Sequence, residues 1–196
     1  MIKHQNMGKV AYIVSKIMNP YIHPAYTLPI IALKYHEPLL LALGGILLLS
    51  GLPITLYGIL RYFHVVSEDL SLSFERKAFI AFTLVLALTV FTIYTTFNVF
   101  FLAKMVFIYL VTITVSLIAD FIDKISIHVL TVFITFIIFA KYISVTGALL
   151  IFLISIIVAW TRIKLRKHSL EQVIWAFAIA PLIFIIGDFL LNYIVK

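Results

Sequence analysis

Long apolar runs separated by short polar clusters dominate this chain. Leu39 to Leu60 is one such run, and Ala78 to Ala119 contains Lys104 as its single charge. Ile125 to Ala140 and Tyr142 to Trp160 flank Lys141, and Val173 to Val195 closes the series with Asp188 inside it. A membrane-crossing helix needs about 20 mostly apolar residues, because a rise of about 1.5 Å per residue must cover about 30 Å of hydrocarbon. Leu39–Leu60 meets that length directly, with Pro53 predicting a kink. Ala78–Ala119 is too long for one helix and predicts two, turning near Asn98–Lys104. The first 36 residues are irregular, since Pro20, Pro24 and Pro29 interrupt them. They predict an amphipathic segment over Gly8–Met18, within an N-terminal stretch 1–19, and a short, broken span around Tyr21–Leu33. The pattern describes an all-α fold, a polytopic transmembrane helical bundle of six to seven spans. Residues 1–196 form a single integral-membrane domain, with no internal repeat and no soluble domain.

Composition agrees with this reading. The chain is 64% hydrophobic and 12% charged, against about 25% charged residues in a typical soluble domain. Lipid is therefore its main solvent. A formal net charge of +7 reads as positive charge held in cytoplasmic loops rather than as a nucleic-acid surface. The absence of cysteine excludes disulfides, thiolate metal sites and cysteine nucleophiles. The opening residues lack an apolar run followed by a small-residue cleavage site, so no removable signal peptide is expected.

The polar clusters are not scattered at random. Helices crossing a bilayer alternate in direction, so the segments around Arg61–Lys77, "DFIDKISIH" and "TRIKLRKHSLEQ" fall on one membrane face. In the last, His168 and Gln172 are four apart and share a helix face. The glutamine carbonyl is placed to accept from imidazole Nδ1, leaving Nε2 as base or nucleophile. A break in the loop would let Arg162 fold back over the same point, where its guanidinium suits phosphate oxygens. Lys124, Ser126 and His128 stand at the entrance to a helix, whose free N–H groups and dipole favour an anion. Glu75, Arg76 and Lys77 precede another span. Cations and histidines dominate, while carboxylates clustered for a metal are sparse; Asp120 and Asp123 could suggest a metal, but two acids at a membrane boundary more often form salt bridges or are solvated. This is an inventory for phosphoryl transfer without a metal or other cofactor.

These residues resemble the type 2 phosphatidic acid phosphatase superfamily. "TRIKLRKHSLEQ" is similar to its third motif, SRxxxxxHxxxD, with Thr161 at the serine, Arg162 at the arginine, His168 at the histidine and Gln172 at the aspartate position. "KISIH" resembles the second motif, PSGH, keeping Ser126 and His128 but carrying Ile125 and Ile127 at the proline and glycine positions. For the first motif, KxxxxxxRP, Arg76 supplies the arginine, while Asp69 stands at the lysine and Lys77 at the proline position. Lys77 or Lys124 is then left to supply the missing cation. The resemblance covers about residues 61–172 and implies a nucleophilic His168 that forms a phosphohistidine. It further implies that Arg162 and Arg76 hold the phosphate, that Ser126 bonds one of its oxygens, and that His128 protonates the leaving alcohol. Gln172 departs from the pattern, because it orients His168 without supplying a negative charge.

The expected function is an integral-membrane, metal-independent phosphatase acting on a lipid phosphate or diphosphate, of isoprenoid or glycerophospholipid type. A non-catalytic lipid-phosphate binder and a small transporter using Asp188 and His128 are its rivals. The partners expected are that substrate and membrane lipids, with no nucleic acid and an unknown oligomeric state. With seven spans, the motif-bearing face carries Lys3, Lys9, Lys16, Arg61, Arg76, Lys77, Lys124, Arg162, Lys164, Arg166 and Lys167. The opposite face carries Lys34, Lys104, Lys141 and Lys196. Positive charge in short loops is retained inside, so the motif face is expected to be cytoplasmic.

Overall fold

The computed structural model describes residues 2–67, 70, 72–122 and 124–194. Asp69, Asp123 and Lys196, which entered the sequence analysis, lie outside that set. Eight helices account for nearly all of the described residues, and no strand occurs among them. They are α1 (Ile2–Ile17), α2 (His23–Lys34), α3 (Leu39–Tyr62), α4 (Ser73–Thr96), α5 (Phe100–Ile122), α6 (Ile127–Ile143), α7 (Val145–Lys164) and α8 (Leu170–Ile194). Five of these, α3, α4, α5, α7 and α8, are long and apolar enough to cross a membrane. The protein is an all-α polytopic membrane bundle.

α5, α6 and α8 form the centre. Leu102, Met105 and Ile108 of α5, Leu130 and Ile134 of α6, and Ala176 and Ala180 of α8 are all fully buried. Without a hydrophobic drive between helices in lipid, close packing by small residues decides such contacts. Gly187 on α8 shows this, since an added Cβ would stand 3.2 Å from Cγ1 of Ile108. On the flank, Gly45 of α3 lets the Tyr94 hydroxyl of α4 reach the Leu41 carbonyl at 2.9 Å; a methyl group there would overlap the phenol.

Helix ends depart from the expected boundaries for identifiable reasons. The turn between α4 and α5 is confined to residues 97–99, with Asn98 left-handed at φ 55°. Glu37 then caps α5, accepting from the Phe101 and Leu102 N–H groups at 2.7 Å each. Lys104 therefore lies inside the helix, not in a loop. Likewise α6 does not stop at Lys141 but continues through a π-turn, Phe139–Ile143, to a break at Ser144. The Ser144 side chain caps α7 by accepting from Gly147 N–H at 3.0 Å. Pro53 is accommodated by a second π-turn, Leu47–Gly51, immediately upstream, which absorbs the hydrogen bond that proline cannot donate.

At the N-terminus, α1 is longer than the predicted Gly8–Met18 segment and packs against α7. Its small residues Ala11 and Ser15 turn inward, while Val10, Ile13 and Ile17 remain exposed. The broken first span appears as a 3₁₀ turn at Pro20–Ile22, capped by Asn19, followed by α2. At 12 residues, α2 covers only about 18 Å. Its far end is nonetheless tied to the far end of α6, through Lys34 Nζ to the Ile143 carbonyl at 2.6 Å and Tyr35 OH to the Tyr142 carbonyl at 3.0 Å.

That far end is fastened by charge. Asp188 of α8 meets Lys104 of α5 at 2.9 Å and Lys141 of α6 at 2.6 Å, and also accepts from the Tyr142 hydroxyl. Lys104 donates in addition to Asn192 at 2.8 Å. Counted from this level, α6 begins some four residues short of the other ends of α5 and α8, so its start lies about 6 Å deeper. The motif end of the bundle is thus recessed around the first turn of α6.

Candidate functional site

The recess is lined by residues from separate parts of the chain. α7 ends in a Schellman turn, with Arg166 left-handed at φ 52°. Arg166 N–H and Lys167 N–H donate to the carbonyls of Ile163 and Arg162 at 3.0 Å each, satisfying acceptors that the helix leaves open. This turn reverses the chain, so His168 returns toward Arg162 six positions back, as the sequence required of a loop break.

Arg162 itself is 6% exposed, and its Nη1 donates to Ser15 Oγ of α1 at 2.6 Å. His168 is half-buried, with Nδ1 at 3.1 Å from Gln172 Oε1. An amide oxygen only accepts, so Nδ1 carries the proton and Nε2 keeps its lone pair. Gln172 has a second task. Its Oε1 also accepts from Ser169 N–H, while Ser169 Oγ accepts from Gln172 N–H, both at 3.2 Å. That reciprocal pair is a capping box starting α8, and its S-x-x-Q signature stands in the sequence at Ser169–Gln172. Burial and the positive charge of Arg162 push the His168 imidazole down from 6.5 to about 4; Arg76 and Lys124 add to that, and the Gln172 bond opposes it. His168 is neutral near pH 7, the form that can attack an electrophile.

Ser126 precedes α6 in an extended conformation and is fully buried. Its hydroxyl has no hydrogen-bond partner among the described residues. His128 follows in the first turn, within electrostatic range of Arg162, His168 and His23. His168, His128, Arg162 and Ser126 are therefore gathered at one end, with Gln172 behind His168.

The remaining candidates are placed differently. Arg76 donates from Nε to Asp120 Oδ1 at 2.6 Å and forms an ion pair with the same oxygen through Nη2. Its charge acts on His168, but its fork is occupied by α5. Lys77 turns away, with Nζ 3.9 Å from the centre of the Phe121 ring. Lys124 is exposed and lines a lateral cleft of about 560 Å³ with Gln172 and Trp175. Glu75, the third of these charges, accepts from Ser67 N–H at 3.1 and 3.0 Å and from its hydroxyl, tying Ser67 to the first turn of α4. Glu171 is exposed. Asp188 lies at the opposite end, in the ionic cluster.

Two residues at the site were not foreseen. Ser15 carries no sequence signal beyond its place on an amphipathic helix. His23 stands as a single imidazole in "NPYIHPAY", and only its isolation in an apolar stretch marks it. On the other flank of α6, Ile127 and Thr131 open onto an apolar crevice of about 620 Å³ with Pro20, Pro24, Pro53 and Tyr109. Among the described residues no group of three histidine, aspartate or glutamate side chains is arranged to hold a metal ion. No family model, curated protein or solved structure matches the chain.

Proposed function

We propose that the protein is an integral-membrane phosphatase that removes phosphate from a lipid phosphate or diphosphate, with His168 as nucleophile. The supporting observation is that Ser126 and His128 from one segment and Arg162 and His168 from another meet at one end of the bundle, with His168 neutral and its Nε2 unencumbered. The Nε2 lone pair attacks phosphorus, the bond to the lipid oxygen breaks, and His128, protonated beside the bound phosphate dianion, delivers its proton to that oxygen and regains one from the water of the second step. Water then cleaves the phosphohistidine and releases phosphate. Arg162 holds the phosphoryl oxygens and offsets charge gained in the transition state. The lipid tail lies along the apolar crevice beside Ile127 and Thr131, whose lining suits an isoprenyl or acyl chain. The recess faces the cytoplasm, following the excess of lysine and arginine at that end.

The test is phosphate release by purified protein from phosphatidate and polyprenyl diphosphate, with and without chelator and vanadate. Release should persist in chelator, fall with vanadate, and drop by more than about a thousandfold in His168→Ala. Strict dependence on added magnesium, or full activity in His168→Ala, would refute the mechanism.

Gln172 favours a second reading, a lipid-phosphate binder without turnover. Its amide satisfies the capping box, and the nearest acid in sequence, Glu171, is exposed. Tight vanadate binding with no release from any lipid phosphate would select it.

A further inference from the structure

We propose that His23 is a third imidazole of this site, presenting Nε2 to an oxygen of the bound phosphoryl group. The proposal rests on the phosphate reading of the recess and adds a ligand from outside the three polar segments. His23 is fully buried, and its Nε2 has no hydrogen-bond partner among the described residues. A buried ring nitrogen left unbonded is costly, so such an atom needs a reason.

The ring is not loosely held. Its Nδ1 is 2.5 Å from the Tyr26 hydroxyl. One turn on, Thr27 Oγ1 donates to the His23 carbonyl at 2.6 Å and accepts from Tyr109 OH of α5 at 3.1 Å. This network fixes the start of α2 against the core and aims Nε2 in one direction. His128 lies within electrostatic range of that ring, and Ser126, two residues earlier, carries a second buried polar atom without a partner. Pro20 and Pro24, on either side of His23 in sequence, line a crevice with Ile127 and Thr131 of α6, so both orphans lie beside the first turns of that helix.

An anionic oxygen accounts for both. Phosphoryl oxygens accept hydrogen bonds and donate none when ionised. Their presence selects the tautomer in which Tyr26 O–H donates to Nδ1 and the proton resides on Nε2. Ser126 O–H and His23 Nε2–H then point at the same kind of acceptor. An apolar residue at position 23 would leave the network's Tyr26 end unmet and offer nothing to the ligand.

Two substitutions separate these roles, because the glutamine amide reproduces the reach of Nε2 while the asparagine amide reproduces that of Nδ1. Orthovanadate binding to the purified full chain in detergent is measured for wild type, His23→Gln and His23→Asn, alongside thermal melting and phosphate release from phosphatidate. His23→Gln should bind vanadate within about threefold of wild type, and His23→Asn about tenfold more weakly, as for loss of one hydrogen bond to a charged group. Equal affinity in all three proteins overturns the proposal. So does equal weakening of both variants with a lowered melting temperature, which marks a purely structural histidine. Wild type that binds no vanadate overturns the anion site altogether. If vanadate binding depends on His23 as expected but no lipid phosphate is hydrolysed, the ligand role stands and the phosphatase reading falls. Hydrolysis with vanadate affinity indifferent to position 23 gives the reverse.

Discussion

At the scale of the residue, His168 and Gln172 show what spacing alone can reveal. Their four-residue separation put imidazole and amide on one face, and the 3.1 Å contact is there. The return of Arg162 was less legible, because the turn that causes it puts a left-handed arginine at position 166 where glycine is usual. The partner of Arg76 was legible only as a tendency, since Asp120 stands 44 positions away on the next helix. The capping box changes what substitutions at 172 should do. Asp at 172 is one methylene too short to close the box and reach His168 together, whereas Gln172→Glu keeps the reach and adds charge. Phosphate release should therefore match or exceed wild type in Gln172→Glu and fall about tenfold in Gln172→Ala; an unchanged rate in both would remove Gln172 from the mechanism. His168 offers a second check. Its carbon-labelled imidazole should titrate by NMR near pH 4 rather than 6.5, and Arg162→Gln should raise that value by removing the cation that acts on it most strongly. Because the folded-state value is the lower one, protonation favours the unfolded chain. The stability contributed by neutral His168 is complete above pH 6.5 and is lost as pH falls toward 4.

At the scale of the element, length was the dependable signal, and single charges were not. Four apolar runs supply the five helices long enough to cross, Ala78–Ala119 giving two as its length required, and the run Ile125–Ala140 forms the shorter α6; but Lys104 and Lys141, read as markers of turns, lie within α5 and α6. A lysine ends a membrane helix only if it has no partner at depth, and both of these have Asp188. The short helix α2 was the least legible element, because Pro24 and Pro29 and its modest length resemble a loop until the neighbours that complete it are known; α6 was legible as the run Ile125–Ala140, but its continuation to Ile143 was not. Their shortness sets the depth of the recess and brings His23 and His128 to it. Asp188 accordingly serves as a tie among α5, α6 and α8. Asp188→Leu leaves two lysines uncompensated and should cost about 3 kcal/mol or more, a large drop in melting temperature in detergent. Asp188→Asn should cost less, since its one accepting oxygen keeps the bonds from Tyr142 and Lys104 and loses only that from the half-exposed Lys141. Vanadate affinity at the other end should survive in Asp188→Asn; its loss would place Asp188 in the functional path and revive a transport role.

At the scale of the whole molecule, orientation follows from counting charges by end, and the structure alters the weights. Lys104 is buried and paired, so it adds nothing to the loop charge of the far end; Arg162 is likewise buried and Arg76 paired with Asp120 at the motif end, and with all three discounted the excess stays at the motif end. Single cysteines in this cysteine-free chain provide the measurement, at exposed Lys167 beside the recess and exposed Thr146 at the far end. An impermeant maleimide applied to intact cells should label Thr146→Cys and spare Lys167→Cys; the opposite pattern would turn the recess outward and place its lipid in the outer leaflet. The two ends also differ in how they are joined. Lys34, Tyr35, Lys104, Lys141 and Asp188 stitch α2, α5, α6 and α8 together on one side of the membrane. At the other, α6 stops short and α1 is held to α7 partly through the Ser15–Arg162 hydrogen bond. The bundle is bound like a book, with its spine at the far end, so on the proposed function a lipid would enter sideways at the opposite edge, where its phosphate would be received.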